Sequence, residues 1–319
     1  MQLIRATLHS DRPLSKALSK CLTSSVLTLG NFDGVHLGHQ QLLKQLIKTS
    51  KEKNIPSVVM IFEPQPQEFF LKKANTPLTT HRLMRFREKC ETFAAMGVDY
   101  CVRLNFNSLL AEVSANDFVE KILVQQLGMK AIVVGDDFHF GAKRQGTVEL
   151  LQQLGEKFHY QVQQLSTEII NNERVSSSNV RAALLSNDFK KEEKLLTRPY
   201  FLSGTDIHGD ARGRTFGFPT ANIYCANAAM VLRGIFVVRV FGVESQPIKG
   251  VANFGVRPMF NDSRLWLEVF LLNYKGDLYG RKLKVEFVHK LRDEAHFDSI
   301  DQLIQQMHQD VQQALAYPI

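Results

Sequence analysis

The sequence lacks the features that mark membrane-spanning, secreted and disulfide-stapled proteins. No apolar run approaches the roughly 20 residues that a transmembrane helix needs. Residues 1–5 do not form a secretory signal pattern. The four cysteines are scattered without a C-x-x-C pair, which indicates small buried hydrophobes rather than disulfides or zinc ligands. These absences lead us to expect a cytoplasmic protein.

The net charge of the chain does little to identify its binding partners. The formal net charge is +7, but the sequence has no long Lys/Arg run and no recognisable nucleic-acid-binding module. A basic balance suits small polyanions as well as nucleic acid. We therefore expect small-molecule partners and neither nucleic acid nor a membrane. A nucleic-acid-binding protein stays open as an alternative that rests on charge alone.

The most informative stretch reads GNFDGVHLGH and occupies residues 30–39, directly after an apolar run. A strand that enters a glycine-rich turn and then a helix presents free N–H groups and a positive dipole end, which is a typical phosphate site. His36 and His39 are three residues apart and reach the same side of the turn. A metal-binding histidine pair and a purely structural turn are the two alternatives.

The first half of the chain alternates strands and helices. Apolar runs near 57–62, 98–104 and 131–134 are separated by helical patterns, which predicts an α/β domain with a doubly wound parallel sheet. Ligands of such sheets bind beyond the carboxyl ends of the strands. The loop at 135–141 follows such a strand, and its Phe138 and Phe140 suit stacking on a flat ring from which Asp137 would accept a hydrogen bond. A turn with two core phenylalanines is the alternative.

A third loop, RVSSSNVR at 174–181, precedes another helical pattern. Ser177 or Ser178 is a good N-cap, which leaves Arg181 in the first helical turn, where a cation opposes the helix dipole. A bound phosphate would remove that conflict, because the hydroxyls, Arg174 and Arg181 would converge on it. An ordinary capped helix with a solvent-facing arginine is the alternative.

The second half changes to short strands and turns. A charged stretch at 188–194 indicates a linker helix, and we expect one domain at 1–186 and another at 187–319. Strand patterns at 234–240, 265–272 and 283–288 predict a small antiparallel β-barrel. A closing helix begins at Ser299 and is expected to bury one apolar face. The residues on that face are Ile300, Leu303, Ile304, Met307 and Val311.

Two features of the second half suggest chemistry. The loop at 209–222 alternates glycines with cations, as a phosphate flap requires, and ends in Thr220 and Asn222, which share one face of an extended segment. Their oxygen atoms suit Mg²⁺. Glu268 interrupts an apolar strand, and a partly desolvated carboxylate is a good general base. An exposed glutamate on the wet face of the strand is the alternative.

These motifs, with FEPQPQEF (62–69), GVANFGVRP (250–258), GDLYG (276–280) and LRDEAHF (291–297), resemble the bacterial bifunctional riboflavin kinase/FAD synthetase family. The resemblance covers essentially the whole chain. It implies that a C-terminal kinase converts riboflavin and ATP to FMN. It also implies that an N-terminal adenylyltransferase converts FMN and ATP to FAD and pyrophosphate. Flavoproteins that receive the products are the further partners it allows.

The resemblance also implies a role for each matched position. His36 and His39 would stabilise the ATP phosphates, Glu268 would act as the general base, and Thr220 and Asn222 would ligate Mg²⁺. The implied flavin-binding residues are Asp137, Phe138 and Arg292. The implied ATP- and phosphate-binding residues are Gly30, Phe32, Asp33, Gly38, Arg174, Ser177, Ser178, Arg181, Gly209, Gly213, Arg214 and Gly217.

The sequence departs from the family pattern at a few positions. Relatives often carry histidine at positions 65 and 270 and threonine at 259, where this chain has Gln65, Phe270 and Met259. A flavin- or nucleotide-binding regulator built on a decayed enzyme is the alternative in another class. It would require damaged catalytic positions, and the two histidines, the two expected Mg²⁺ ligands and the expected base are all intact.

Overall fold

The structure is a computed structural model that describes residues 1–9, 22–77, 81–170, 173–207, 218–224, 230–257 and 262–318. The chain divides into two compact units. The first unit comprises Met1–Thr79 and Lys89–Ser176, and the second comprises Thr80–Glu88 and Ser177–Ile319. The second unit thus includes a short segment from the N-terminal half. The predicted functional boundary after residue 186 stays a prediction.

A six-stranded parallel sheet organises the first unit, as predicted. Its strand order is β1-β4-β3-β2-β5-β6. The central strands are buried on both faces, which explains their continuous apolar sequences. The two edge strands, β1 and β6, were not predicted from the sequence. The six strands are β1 (Gln2–Thr7), β2 (Ser25–Leu29), β3 (Ser57–Glu63), β4 (Tyr100–Asn105), β5 (Met129–Gly135) and β6 (Gln161–Leu165).

Helices connect these strands, and two of them carry side chains discussed below. The first helix starts after His36, which caps it, and ends at Asn54 in the left-handed conformation. The helices are α1 (Leu37–Lys53), α2 (Pro66–Lys73), α3 (Phe86–Met96), α4 (Ser108–Ala111), α5 (Ala115–Asp117) with a π-helical continuation at Phe118–Val124, and α6 (Val148–Phe158). A two-stranded ribbon, β7 (Ile169–Ile170) and β8 (Glu173–Arg174), follows β6.

The second unit contains the predicted antiparallel barrel. Its strand order is β10-β13-β12-β11-β14-β9, and a bridge between Asp206 and Ile223 joins the ends of the first and last strands. The strands are β9 (Phe201–Thr205), β10 (Thr220–Tyr224), β11 (Gly234–Phe241), β12 (Ile248–Arg257), β13 (Asp262–Leu271) and β14 (Lys282–Arg292). Its helices are α7 (Ser177–Leu185), α8 (Phe189–Leu196) and α9 (Ile300–Ala316).

The closing helix α9 differs in one detail from its prediction. Ser299 caps it as expected, accepting a hydrogen bond from the Gln302 amide. Ile300, however, is 59% exposed, so the prediction that it is buried is wrong. It sits in the first turn, before the helix reaches the sheet, and the fully buried positions are Asp310 and Ala314 near the other end.

The described part of the chain contains no helix with both the length and the apolar composition that crossing a bilayer demands.

Candidate functional site

The loop between β2 and α1 has a constrained backbone. Phe32, Gly34 and Val35 have φ values of 46°, 83° and 43°. Only glycine adopts this region freely, and a β-branched residue there is strained. Val35 is nevertheless fully buried, so tertiary packing holds it. Backbone strain of this kind clusters at functional sites.

The two histidines of this loop form a stacked pair. The ring centroids of His36 and His39 lie 3.7 Å apart with planes 20° from parallel, and Phe32 packs against the other side of His39 at 5.0 Å. His36 Nδ1 accepts a hydrogen bond of 3.5 Å from the His39 backbone amide. A neutral His36 therefore carries its proton on Nε2, where it can donate to a ligand.

A buried lysine that the sequence analysis missed supports this loop. Lys89 on α3 is 1% exposed, and its ammonium donates a 2.8 Å hydrogen bond to the Asn31 carbonyl. Burial, and then the nearby charges of His36 and Lys89, hold the pKa of His39 well below its usual value. His39 is therefore a neutral imidazole at pH 7. Lys89 differs from an ordinary surface lysine by its burial, which the sequence did not reveal.

Other predicted residues of the loop surround the histidines. Asp33 is buried. A Cβ atom added at Gly38 would lie 3.4 Å from the His36 ring, so glycine keeps the first turn of α1 clear beside the imidazole. Gly30 directly follows β2, and its amide donates to the Met60 carbonyl of β3 at 3.2 Å. The loop is thus tied to both the helix and the sheet.

The loop at 135–141 leaves the same edge of the sheet, because β5 is the parallel neighbour of β2. Its Asp137 forms an ion pair with Arg174, and both side chains are exposed. Phe138 stacks on Phe140 with ring centroids 5.6 Å apart. Phe140 belongs to the core and Phe138 is half-buried against it. The structure brings together Asp137 and Arg174, for which the resemblance implied separate roles.

Residues 177–181 of the RVSSSNVR motif lie in the second unit, whereas residues 174–176 belong to the first. Helix α7 begins at Ser177, so Ser177 and Ser178 occupy its first turn. Arg181 is the fifth residue of the helix, and the expectation that it lies in the first turn is wrong. Its Nε donates a 2.7 Å hydrogen bond to the His81 carbonyl. The conflict with the helix dipole is correspondingly smaller, because that effect is concentrated in the first turn.

The barrel register brings the expected kinase residues together. Asn222 of β10 pairs directly with Glu268 of β13, and Glu268 pairs on its other side with Asn253 of β12. Directly paired residues project to the same face of a sheet. Thr220 lies two residues before Asn222 and therefore shares that face. An amide, a carboxylate and a second amide thus form a row across three strands, with a hydroxyl beside it.

Hydrogen bonds fix Asn222 within this row. Its side chain is buried, and its Nδ2 donates to the Thr220 carbonyl at 3.0 Å. Its backbone amide donates to Asp206 Oδ1 at 2.6 Å. Asp206 is itself buried and was not among the predicted residues. Its role depends on the bridge that closes the barrel, which local sequence patterns do not reveal.

Glu268 is half-buried, as predicted for a strand glutamate among apolar residues. Asn253 Nδ2 donates to Glu268 Oε2 at 3.4 Å. A second carboxylate, Glu294, lies on this face, because a Cβ atom added at Gly255 would be 1.9 Å from Glu294 Oε1. Burial of this carboxylate, and then repulsion from Glu268, raise the pKa of Glu294, whereas Arg233 opposes the rise.

Arg292 has a different environment from the one expected for a flavin ligand. Its Nε and Nη2 donate to the two carboxylate oxygens of Asp310 at 2.9 and 2.7 Å. Asp310 is buried on α9, so this bidentate pair connects the closing helix to β14. Flavin binding by Arg292 stays a prediction. The predicted Gly209, Gly213, Arg214 and Gly217, and the departure at Met259, lie outside the described residues.

Comparison with protein families assigns both halves of the chain. A model of FAD synthetase matches residues 18–179, and a model of riboflavin kinase matches residues 196–317. The chain belongs to the bifunctional riboflavin kinase/FMN adenylyltransferase family. The family resemblance, the fold class and the bifunctional enzyme activity inferred from the sequence are therefore confirmed.

Individual relatives agree with this assignment. The bifunctional riboflavin kinase/FMN adenylyltransferase of Haemophilus influenzae is 40% identical, with 99% of each chain covered. That of Pseudomonas fluorescens is 42% identical over 99% of this chain and 97% of its own. A crystal structure described as a macrolide-efflux protein from Streptococcus pneumoniae is 29% identical, with a TM-score of 0.75 over 99% of this chain and all of that one. Its likeness supports the fold, and the efflux in its description is said of that protein.

Proposed function

We propose that the two activities of this family use two separate sets of residues in this chain. The barrel residues Thr220, Asn222 and Glu268 would phosphorylate riboflavin, and the loop carrying His36 and His39 would adenylylate FMN. The observation that carries the proposal is the direct cross-strand pairing of Asn222 with Glu268. We also propose that the functional domains meet near residue 186, as the sequence predicted.

In the kinase reaction, the terminal hydroxyl of the ribityl chain attacks the γ-phosphorus of ATP and ADP leaves. An alcohol is a poor nucleophile until its proton is removed. Glu268 is the carboxylate on the row of polar side chains, and we assign it as the base that receives this proton. Phosphoryl transfer otherwise needs positioning and charge stabilisation, so no covalent enzyme intermediate is required.

Mg²⁺ fits the same row. The donors are a hydroxyl and an amide oxygen, both of them hard oxygen ligands of the kind that Mg²⁺ takes together with substrate phosphates. Asn222 Nδ2 is engaged with the Thr220 carbonyl, which turns the amide oxygen of Asn222 away from that carbonyl. Thr220 and Asn222 would hold the ion, and a bound ion would neutralise phosphate charge there.

In the adenylyltransferase reaction, a phosphate oxygen of FMN attacks the α-phosphorus of ATP and pyrophosphate leaves. The attacking phosphate is already anionic, so this step needs no general base. His36 and the neutral His39 supply hydrogen-bond donors at a helix N-terminus, where anions are favoured. Arg174 would add a cation, and Asp137 would bind the flavin ring. Because ATP is held in the cytoplasm, we propose that location for the enzyme.

The test follows the flavins over time. The protein is incubated with riboflavin, ATP and Mg²⁺, and the flavins are separated by chromatography. Wild type should form FMN and then FAD. Glu268→Gln should abolish FMN formation and leave conversion of added FMN to FAD intact. The double variant His36→Asn/His39→Asn should form FMN and stop there.

Two controls match these substitutions. Glu244→Gln changes an exposed glutamate of the second unit, and His159→Asn changes an exposed histidine of the first unit; both should behave as wild type. If Glu268→Gln still forms FMN, the assigned base is wrong. If either test variant loses both reactions while staying folded, the two sets of residues do not act separately.

A further inference from the structure

Asn253 occupies a position beside the proposed base that its sequence motif does not explain. It lies on β12, directly opposite Glu268 of β13. Its Nδ2 reaches Glu268 Oε2 at 3.4 Å. On the far side of Glu268, Asn222 occupies the equivalent position on β10. The carboxylate thus lies between two asparagines, one with an expected role as a metal ligand and one without an assigned role.

The chemistry of the amide fixes its orientation. An ionised carboxylate only accepts hydrogen bonds, so the NH₂ group of Asn253 must face Glu268. The amide oxygen then points away from it. This Oδ1 atom is buried, and none of the described residues donates a hydrogen bond to it. Leaving a buried acceptor unsatisfied costs free energy, and native proteins do so rarely.

The charges on this face restrict what can satisfy that oxygen. Gly255 lies two residues after Asn253 on β12 and therefore on the same face. The side chain of Glu294 lies over Gly255. Arg233 acts on Glu294 from the residues before β11. Asp206 binds the Asn222 backbone. Among the side chains that the structure describes near this oxygen, three carboxylates outnumber one arginine, which disfavours an anion in direct contact with it. An acceptor atom needs a donor, and a neutral hydroxyl meets both conditions.

We infer that Asn253 binds the alcohol substrate of the kinase reaction: its amide oxygen accepts a hydrogen bond from the ribityl hydroxyl next to the reacting one, while its NH₂ group holds the Glu268 carboxylate. The inference rests on the proposed role of Glu268. One amide would align the base and the hydroxyl chain together. Neighbouring hydroxyls are close enough for one to face Glu268 while the next faces Asn253.

Steady-state kinetics of FMN formation test this assignment. Asn253→Ala should lower kcat/KM for riboflavin on the order of 10-fold to 100-fold, the effect of losing one or two hydrogen bonds. Its KM for ATP should stay within about twofold of wild type. Conversion of FMN to FAD by the same preparation should be unchanged, which shows that the first unit is folded and active. Asn273→Asp, an exchange at an exposed turn, is the control and should match wild type.

Asn253→Asp keeps the shape of the side chain but replaces the donor by a second anion. Like charges disfavour ionisation of both groups. The acidic limb of the pH profile for kcat/KM should therefore move to higher pH in Asn253→Asp and stay in place in Asn273→Asp. Equal profiles for the two variants would mean that Asn253 does not face Glu268, and that result would overturn the inference.

A substrate analogue tests the hydroxyl contact even if the alanine variant is unstable. Riboflavin lacking the hydroxyl next to the terminal one should react on the order of 10-fold less efficiently with wild type. In Asn253→Ala the analogue and riboflavin should react equally, because the contact is already lost. If loss of the hydroxyl lowers the efficiency of Asn253→Ala by the same factor as that of wild type, the inference is overturned. A kinase-active Glu268→Gln variant would instead refute the proposed base, so the two failures are distinguishable.

Discussion

Arg174 and Asp137 form an ion pair in the first unit, although the family resemblance implies that one binds phosphate and the other a flavin ring. Both side chains are more than half exposed, so water screens the pair. Exposed pairs contribute little to stability, typically about 0.2–1 kcal/mol. The pair is therefore well suited to open when substrate binds, since separating it costs little.

The exposure of this ion pair predicts that removing Arg174 lowers activity but hardly changes stability. Arg174→Ala should reduce kcat/KM for FAD formation about 10-fold to 100-fold, because a charge-assisted contact to phosphate is lost. Its melting temperature should change by no more than a few degrees, and FMN formation should be unaffected. Lys121→Ala, which removes another exposed ion pair of the same unit, should leave both reactions unchanged. A stable Arg174→Ala variant with full FAD synthesis would exclude the phosphate role.

His39 gives a prediction about protonation. Burial and neighbouring positive groups lower its pKa in the free protein, and a bound triphosphate would act in the opposite direction. Binding of a non-hydrolysable ATP analogue should therefore raise the pKa of His39. Since binding then takes up a proton, the analogue should bind more tightly as the pH falls through the raised pKa of His39.

Histidine NMR titrations with and without the analogue measure this shift. His159 is exposed at the end of α6 and serves as the control histidine. An unchanged titration of His39 in the saturated complex would mean that the nucleotide phosphates bind elsewhere.

The second unit has a buried glutamate that makes its stability depend on pH. Burial raises the pKa of Glu192 to about 8 and lowers that of Arg198 to about 10. The unfolded chain releases the Glu192 proton near pH 4.5, so the folded state holds one more proton between about pH 4.5 and 8. This contribution to stability is fully present below pH 4.5 and disappears as the pH rises through 8.

Thermal denaturation of Glu192→Gln tests whether this contribution to stability is lost as the pH rises. The variant should lose less stability than wild type between pH 5 and pH 8, because glutamine has no proton to release. The adjacent exposed residue offers a matched control, Glu193→Gln, which should keep most of the wild-type pH dependence. Parallel pH curves for wild type and Glu192→Gln would refute the prediction.

The bidentate pair between Arg292 and Asp310 predicts a large stability effect. The Asp310 side chain is only 4% exposed, and removing one partner of a buried pair leaves the other charge uncompensated. Asp310→Ala should destabilise the protein by about 3 kcal/mol, measured by urea denaturation. The double variant Asp310→Leu/Arg292→Met should recover part of that loss.

The same variants address the role of Arg292 in flavin binding. If the double variant keeps the wild-type KM for riboflavin, Arg292 is an anchor for α9 and not a flavin ligand. If KM rises in the double variant despite recovered stability, the flavin-binding prediction is supported.

The sequence was most informative where structure is local. The loop before α1 follows from glycine spacing, a capping His36 and a helical apolar pattern, all within a few residues. The edge strand β6 was missed because its QVQQL sequence is half polar, as an edge position permits. Ile300 was misplaced because periodicity identifies a helical face but not where along the helix the contact with the sheet begins.

The polar row of the second unit shows what local patterns omit. Asn222 and Glu268 are 46 positions apart in the chain and meet only through strand register. The sequence suggested that both residues belong to one kinase site, but it did not predict that they pair across neighbouring strands. Asn253 was in a recognised motif, yet its contact with Glu268 depends on the same register. Gln65, in contrast, has a role that depends on neighbouring residues alone, since it caps α2 in a reciprocal arrangement with Glu68.

The segment Thr80–Glu88 has a consequence for how the gene can be divided. Glu88 is fully buried in the second unit, where it accepts a 3.1 Å hydrogen bond from the Ser203 amide and pairs with Arg85. A fragment starting at residue 187 would encode the barrel strands but omit these side chains. We therefore expect that one cut does not yield two self-sufficient proteins. Gene fission, or the transplantation of one activity into another host protein, would have to carry this remote peptide along.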